Sequence, residues 1–271
     1  SVIADIRSVL ATGNELVLEA PPGAGKTTCV PLALLAEAWL EGQRIVMLEP
    51  RRIAAKSAAE RMAELLGERT GQTVGYRMRM ETVVGPTTRI EIVTEGVLTR
   101  MLQDDPSLDG IGLLIFDEFH ERSLDADLGL ALTLESRKLF ADLRATPLKL
   151  LIMSATLDGD RVSELLNGAA IVRSLGRQFP VALRYGDAYS PQQDLISRVC
   201  STVRQALDEN TGSILVFLPG QAEIRRCLSR LSEDHFGVSV VLAPLYGDLS
   251  LADQRRAIAP AEEGCRKVVL A

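Results

Sequence analysis

Short apolar runs alternate with amphipathic stretches along most of the chain. The runs at 16–18, 44–48, 89–93, 111–116 and 148–153 are rich in Leu, Ile, Val and Met. Near-continuous runs of this kind suit strands covered on both faces. Between them, residues 1–12 place Val2, Ile3, Ile6, Val9 and Leu10 on one side of a helix. A second helix is expected over 30–40, with Pro31 in its first turn and Gly42 at its end. The stretch 53–66 predicts an amphipathic helix closed by Gly67. Further helices are expected from 94 and over 125–141, and a short strand and turn at 73–77. Glu91 interrupts the 89–93 run and suggests a strand near a sheet edge. Five or more strands alternating with helices predict a mostly parallel, doubly wound α/β sheet.

The rhythm breaks at 167–180. A strand at 170–173 ends a first domain, 1–173, and 174–180 reads as a linker. A second α/β domain, 181–271, follows. After the segment 181–185 it is expected to hold a long helix over 191–209, then strands at 213–218, 238–242 and 266–270 alternating with helices at 221–232 and 250–258. The last strand runs up to Ala271. That suggests a second domain truncated at its C-terminus, in a fragment of a longer protein.

Composition adds limits. The 271 residues are 46% hydrophobic and 24% charged, a globular balance. No apolar run approaches the roughly 20 residues that span a bilayer, so no membrane is expected. The first residues carry no secretory pattern. Cys29, Cys200, Cys227 and Cys265 lack paired spacing, which fits buried thiols in a reducing cytoplasm. The net charge is −6, with the acidic excess in residues 1–172. Such a chain does not coat itself in nucleic acid, but it leaves room for a groove lined by a few arginines.

The chemistry gathers around Ala20-Pro-Pro-Gly-Ala-Gly-Lys-Thr-Thr28, which lies between a predicted strand and a predicted helix. This is the context of a phosphate-binding loop, although the strict pattern begins with Gly and this one with Ala20. Backbone N–H groups around Gly23, Ala24, Gly25 and Thr28 would face an anion, aided by the helix N-terminus. Lys26 would reach the β- and γ-phosphates of ATP, and Thr27 would place its hydroxyl on Mg2+. Asp117 and Glu118 follow the buried run 111–116. Two adjacent acids there are costly unless a metal or water uses them. Asp117 would hold Mg2+, and Glu118 would polarise the water that attacks the γ-phosphate. His120 could hydrogen-bond groups near that phosphate or across a domain interface. Lys26 and the acidic pair are expected to converge at the tips of neighbouring strands. Ser154 and Thr156 are either a simple cap pair or a relay of changes at the phosphate.

Taken together, these motifs are diagnostic. Asp117-Glu-Phe-His120, the glycine loop, Glu49-Pro-Arg-Arg-Ile-Ala-Ala55, Thr94-Glu-Gly-Val-Leu-Thr-Arg100 and Ser154-Ala-Thr156 resemble a DEAH/RHA-type (DExH) RNA helicase of superfamily 2. Leu215-Val-Phe-Leu-Pro-Gly220 and Pro244-Leu-Tyr-Gly-Asp-Leu-Ser250 resemble its later motifs. The resemblance covers essentially the whole chain. It implies two RecA-like P-loop NTPase domains in tandem, clasping ATP in their cleft and moving 3′-to-5′ on single-stranded RNA, with DNA left open. By position, Arg51, Arg52, Thr94 and Arg100 match segments that lie against RNA, with Gly220 on the second domain. Ser154 and Thr156 match the coupling segment.

The resemblance also implies an arginine of the first domain against the nucleotide base, for which Arg61 is the candidate. An aromatic of the second domain would face it, but Ile258 stands there. The motifs that carry the family's arginine fingers would begin beyond Ala271, and its C-terminal helicase modules would follow. The chain by itself is therefore expected to bind nucleotide but hydrolyse it weakly and unwind nothing. Two other functions stay open on the residues alone: an ATPase driving secretion or transport, and a non-catalytic nucleotide-gated binding module.

Isoleucine offers no π face to a base. The full-length protein is accordingly expected to hydrolyse ATP, GTP, CTP and UTP within about tenfold of one another. Comparing the four turnover rates checks this, and a stronger preference for ATP overturns it.

Overall fold

The apolar runs of the first two-thirds of the sequence become adjacent strands of one sheet. In the computed structural model the described residues are 2–40, 42–155, 159–175, 180–186, 188, 194–236 and 239–271. The chain divides into two units, 1–181 and 182–271.

The first unit holds β1 (Glu15–Glu19), β2 (Arg44–Leu48), β3 (Val74–Met78), β4 (Glu81–Val83), β5 (Ile90–Val93), β6 (Ile111–Phe116), β7 (Lys149–Ser154) and β8 (Ala170–Arg173). Their order across the sheet is β4-β3-β5-β2-β6-β7-β1-β8. Every pairing is parallel except that of β3 with β4. Side chains alternate between two cores. Leu16, Leu18, Ile45, Met47, Leu113, Ile115, Leu151 and Met153 face one side. Val17, Val46, Leu48, Leu114, Phe116, Leu150 and Ile152 face the other. The first core is closed by α1 (Val2–Thr12), α2 (Lys26–Leu34) and α3 (Arg52–Leu65), the second by α4 (Glu95–Asp104), α5 (Leu124–Leu139) and α6 (Gly159–Leu165). Apolar side chains on both strand faces thus require helices on both.

Two expectations are corrected here, and one strand is added. The helix expected at 30–40 starts at Lys26, because the chain reverses at Gly25, and it ends at Leu34. Bonds from Leu35 N to Leu32 O and Glu37 N to Leu34 O tighten its exit, and 38–40 form a separate 3-10 turn. Glu91 does not mark an edge: β5 lies between β3 and β2. Its carboxylate is only 1% exposed and bridges Arg44 Nη1 at 3.1 Å and Arg77 Nε at 2.6 Å. The strand at 73–77 continues into a hairpin with β4, and the turn puts Met80 at φ 66. A left-handed residue other than Gly or Asn gives no sequence signal for that turn.

The second unit holds α7 (Leu195–Glu209), β9 (Ile214–Val216), α8 (Gln221–Ser232), β10 (Ser239–Pro244), α9 (Leu251–Ile258) and β11 (Cys265–Leu270). Its strands are parallel in the order β10-β11-β9. Ile196, Cys200, Val203 and Leu207 form one stripe of α7, packed against Ile224, Cys227 and Leu231 of α8. Asp194 caps α7 by accepting from Ile196 N and Ser197 N, each at 3.2 Å. Residues 191–193, where that helix was expected to begin, lie outside the described residues. The segment 181–185 is exposed and irregular. Cys200 and Cys227 are buried as expected, but Cys29 of α2 is exposed. Among the described residues no helix is long and apolar enough to cross a membrane.

Removing the Glu91 carboxylate leaves two arginines facing each other beside a buried strand. Because both guanidinium groups are partly hydrated, Glu91→Ala is expected to cost about 2 kcal/mol, below the range for a fully buried pair. Urea unfolding measures it, and a change below about 0.5 kcal/mol would show that the bridge is not stabilising.

Candidate nucleotide site and nucleic-acid groove

The glycine loop leaves β1 at Ala20, whose N–H donates to Ser154 O at 3.0 Å. Gly23 and Gly25 adopt φ 77 and 75. A Cβ at Gly23 would meet nothing within 4 Å, so its backbone conformation, not space, calls for glycine. Gly25 is the N-cap of α2 and supplies no side-chain cap, which leaves the first helical N–H groups without a side-chain acceptor from the cap residue. Ala24 N bonds back to Pro21 O at 3.3 Å, and the Thr28 hydroxyl turns to Gly25 O at 3.5 Å.

Lys26 is buried, and its Nζ lies 3.0 Å from Glu118 Oε1. The Thr27 hydroxyl donates to Asp117 Oδ2 at 2.5 Å. The glycine loop and the acidic pair therefore meet. They do not lie at the tips of neighbouring strands, however: β7 runs between β1 and β6. The segments after β1 and β6 therefore reach across the end of β7, near enough for even the short Thr27 and Asp117 side chains to meet. Ser154 ends the intervening strand and is buried. Thr156, paired with it as a coupling residue, lies outside the described residues.

Asp117 is buried, and burial raises its pKa above the usual carboxylate range, opposed by the Thr27 hydroxyl and the Glu118 N–H, 2.8 Å from Oδ1. Glu118 takes φ 49, which turns the chain sharply after β6 into a 3-10 turn over Phe119–Glu121. His120 Nδ1 accepts from Ala155 N at 3.3 Å, so the proton of the neutral ring sits on Nε2. The same Nδ1 lies 3.3 Å from Glu118 Oε2, a contact that becomes an ion pair only when the ring is protonated.

Among the described residues no cluster of three or more His, Cys, Asp or Glu could cage a metal by itself. One buried carboxylate beside a hydroxyl is instead the donor set that suits Mg2+, which takes few protein ligands and completes its shell with phosphate oxygens and water. Asp117 and Thr27 would hold the ion.

The predicted RNA contacts fall in three places. Arg52, Thr94 and Arg100 line one groove of about 700 Å³ on the first unit. The β3–β4 hairpin adds Arg77, Arg79 and Met80, the last 97% exposed, none of which the sequence had singled out. Arg52 Nη2 donates to Arg79 O at 3.5 Å, and Arg100 Nε lies 3.8 Å from Asp104. Arg51 is the N-cap of α3 and pairs with Glu121. Gly220 belongs to the second unit, at the start of α8, with an extended φ of −178. Arg61 stands on the outer face of α3, 2.5 Å from Glu64 Oε2, and Ile258 is half exposed at the end of α9.

Residues 3–165 match the family model described as DEAD/DEAH box helicase. The chain belongs to the DEAD/DEAH box helicase family. It is similar over all 271 residues, at 52% identity, to the ATP-dependent RNA helicase HrpB of Escherichia coli strain K12, of which it covers 33%. It is 34% identical to an ATP-dependent RNA helicase HrpA homolog of Haemophilus influenzae over 98% of the chain and 20% of that protein. The crystal structure of Escherichia coli DEAH/RHA helicase HrpB matches it at TM-score 0.88 and 51% identity, over 100% of this chain and 34% of that one. The fold is thus the RecA-like α/β fold of these helicases. The chain spans about a third of the length of the HrpB relative.

Beside these residues the sequence did not reveal the state of Glu49. It follows β2, is 2% exposed, and accepts only the Arg51 N–H, at 3.3 Å, among the bonds resolved to its side chain. Burial first, and then the charge of Asp117, push its carboxyl up to about 8, against the Arg51 N–H. A polar residue after a buried strand, as at Asp117, was the available signal.

A carboxyl raised in the folded state binds a proton there that the unfolded chain has lost between about pH 4.5 and 8. Stability should fall as pH rises through that window, by about 1.4 kcal/mol per unit at most. Glu49→Gln keeps the acceptor and removes the titration. In nucleotide-free buffer with a chelator, the variant should match the wild type near pH 5 and exceed it near pH 8. Parallel urea midpoints at both pH values would contradict this.

Proposed function

We propose that this chain is the nucleotide-binding part of an ATP-dependent RNA helicase of the DExH type, a protein that couples NTP hydrolysis to 3′-to-5′ movement on single-stranded RNA. The observation that carries the proposal is the meeting of Lys26 and Thr27 with Glu118 and Asp117 across β7. Two positive-φ glycines before α2 and a lysine and hydroxyl at its start suit a nucleoside triphosphate. The Escherichia coli and Haemophilus influenzae relatives carry the names of ATP-dependent RNA helicases, and the direction of movement follows the family resemblance. In this reading the two units are RecA-like domains in tandem.

Lys26 binds the β- and γ-phosphates, and the N–H groups of the loop 23–28 bind their oxygens. Mg2+, when bound, neutralises charge on the phosphates. Glu118 accepts a proton from the attacking water as its oxygen bonds to the γ-phosphorus, and the nucleoside diphosphate leaves. His120, with its ring proton on Nε2, hydrogen-bonds near the γ-phosphate, while Ser154 and Thr156 relay the change at the phosphate. Arg61 covers the base. RNA phosphates lie along Arg51, Arg52, Thr94 and Arg100, with Gly220 as a contact of the second unit. These contacts to the backbone are indifferent to sequence, as a motor requires.

In the full-length protein, Lys26→Ala is expected to lose nucleotide binding. Glu118→Gln is expected to keep binding and lose turnover by about 100-fold or more. Arg52→Ala and Arg100→Ala should each lower the slope of log affinity for RNA against log salt by about 0.7 while leaving RNA-free turnover near wild type. Steady-state ATPase assays and RNA titrations at several salt concentrations read these outcomes. Turnover that is indifferent to RNA would defeat the helicase reading.

A further inference from the structure

Arg51 differs from the other candidate RNA contacts in what holds it. Its Nη2 lies 2.7 Å from Glu121 Oε1, and its Nε donates to Glu121 Oε2 at 3.3 Å. One edge of the guanidinium thus grips both carboxylate oxygens, the strongest geometry available to such a pair. Arg51 nonetheless remains 70% exposed, so a second oxyanion can reach it from solvent.

Glu121 is placed where this grip has consequences. It closes the 3-10 turn that starts immediately after Glu118, and its N–H bonds to Glu118 O at 2.9 Å. Glu118 and Arg122, at the two ends of the turn, have φ 49 and 52. Side-chain-bearing residues populate that region sparsely, so surrounding contacts must hold the turn in place. Glu121 supplies one such contact. The other end of the connection is equally fixed: Arg51 N is bonded to Glu49, and Asp117 N to Leu48 O at the end of β2. The Arg51–Glu121 pair therefore closes a ring that joins β2, the start of α3 and the turn bearing Glu118.

We infer that Glu121 is a positioning residue that opposes RNA phosphate at Arg51, so that RNA binding frees the turn carrying Glu118. A phosphate on the Nε/Nη2 edge replaces the carboxylate outright. A phosphate on the Nη1 edge sits beside a like charge. In either arrangement the pair and the phosphate weaken one another, and the coupling is reciprocal. An exposed pair is a weak one, which suits a contact that must yield to RNA. The inference rests on the proposed helicase function for its effect on turnover, but its effect on RNA affinity can be read without any turnover.

The test uses the full-length protein and four forms: wild type, Glu121→Gln, Arg51→Ala and the double variant. Binding of a fluorescein-labelled oligouridine is measured by anisotropy at fixed salt, and ATP turnover is measured with and without the same RNA. Glu121→Gln should bind the oligouridine about threefold more tightly. Its RNA-free turnover should rise, which narrows the ratio of stimulated to unstimulated rates. In the Arg51→Ala background the same substitution should change neither quantity. Glu121→Asp, which keeps the charge and shortens the reach, guards against loss of the fold and should show the same direction at smaller size.

Affinity and rate ratio unchanged in both Glu121 variants would overturn the inference. So would an equal tightening with Arg51 absent, since that reports only the loss of a nearby negative charge. If wild type binds oligouridine but its turnover ignores it, the helicase reading fails, while the affinity comparison still decides the competition at Arg51.

Discussion

A buried positive charge cannot stand alone, and Lys26 does not. Its ammonium is compensated by Glu118, and the neighbouring Asp117 carboxylate is compensated by the Thr27 hydroxyl and the Glu118 N–H. These four side chains come from the first turn of α2 and the end of β6, on either side of β7 in the sheet. Removing the Glu118 carboxylate leaves the Lys26 ammonium buried and unpaired, which costs more than the contact itself contributes. The same cluster supplies the donors and acceptors that a magnesium nucleotide requires. The groups that make the loop stable without a ligand are thus those that would rearrange around one.

The sheet is the device that makes this meeting possible. Parallel strands with helices on both faces bring their carboxyl ends to one side, where their loops converge. The Ala20 N–H, donating to Ser154 O, and the Ala155 N–H, donating to His120 Nδ1, stitch three of those loops together. Nearby, Glu19 accepts from Gly159 N at 2.8 Å and holds Arg173 Nε at 2.5 Å, which ties β8 and α6 to the end of β1. A Cβ at Gly159 would lie 2.3 Å from Glu19 Oε1, so glycine there answers to close approach. The other side of the site is carried by β2, whose end bears the buried Glu49 and the exposed Arg51. The nucleotide loops and the arginine groove therefore share one rigid support.

Charge is distributed accordingly. The first unit is acidic overall, yet Arg52, Arg77, Arg79 and Arg100 gather at one groove. Arg77 is also half of the bridge to Glu91 inside the sheet. Lys56 and Tyr76 both bond Glu81, fixing the β4 arm of the hairpin against α3. The hairpin that presents Arg79 and Met80 is thereby anchored to the core at its base, and its tip stays open to solvent.

Much of this was legible in the residues. Apolar periodicity marked the principal strands because both of their faces are buried, and the phosphate loop and the acidic pair announced themselves because glycine, lysine and adjacent carboxylates are poor core residues. Helix ends were less legible: α2 begins and ends where backbone reversals dictate, not where its apolar face does. The β3–β4 hairpin was hidden because its turn uses Met80 where glycine or asparagine would have signalled it. The order of the strands, with β7 between the two halves of the nucleotide site, the bridging role of Glu91 and the protonated tendency of Glu49 were decided only by the tertiary structure. Local sequence governs which groups are available and which segments extend or coil. How far apart charges lie, and how much water reaches them, depends on contacts between residues distant in the chain.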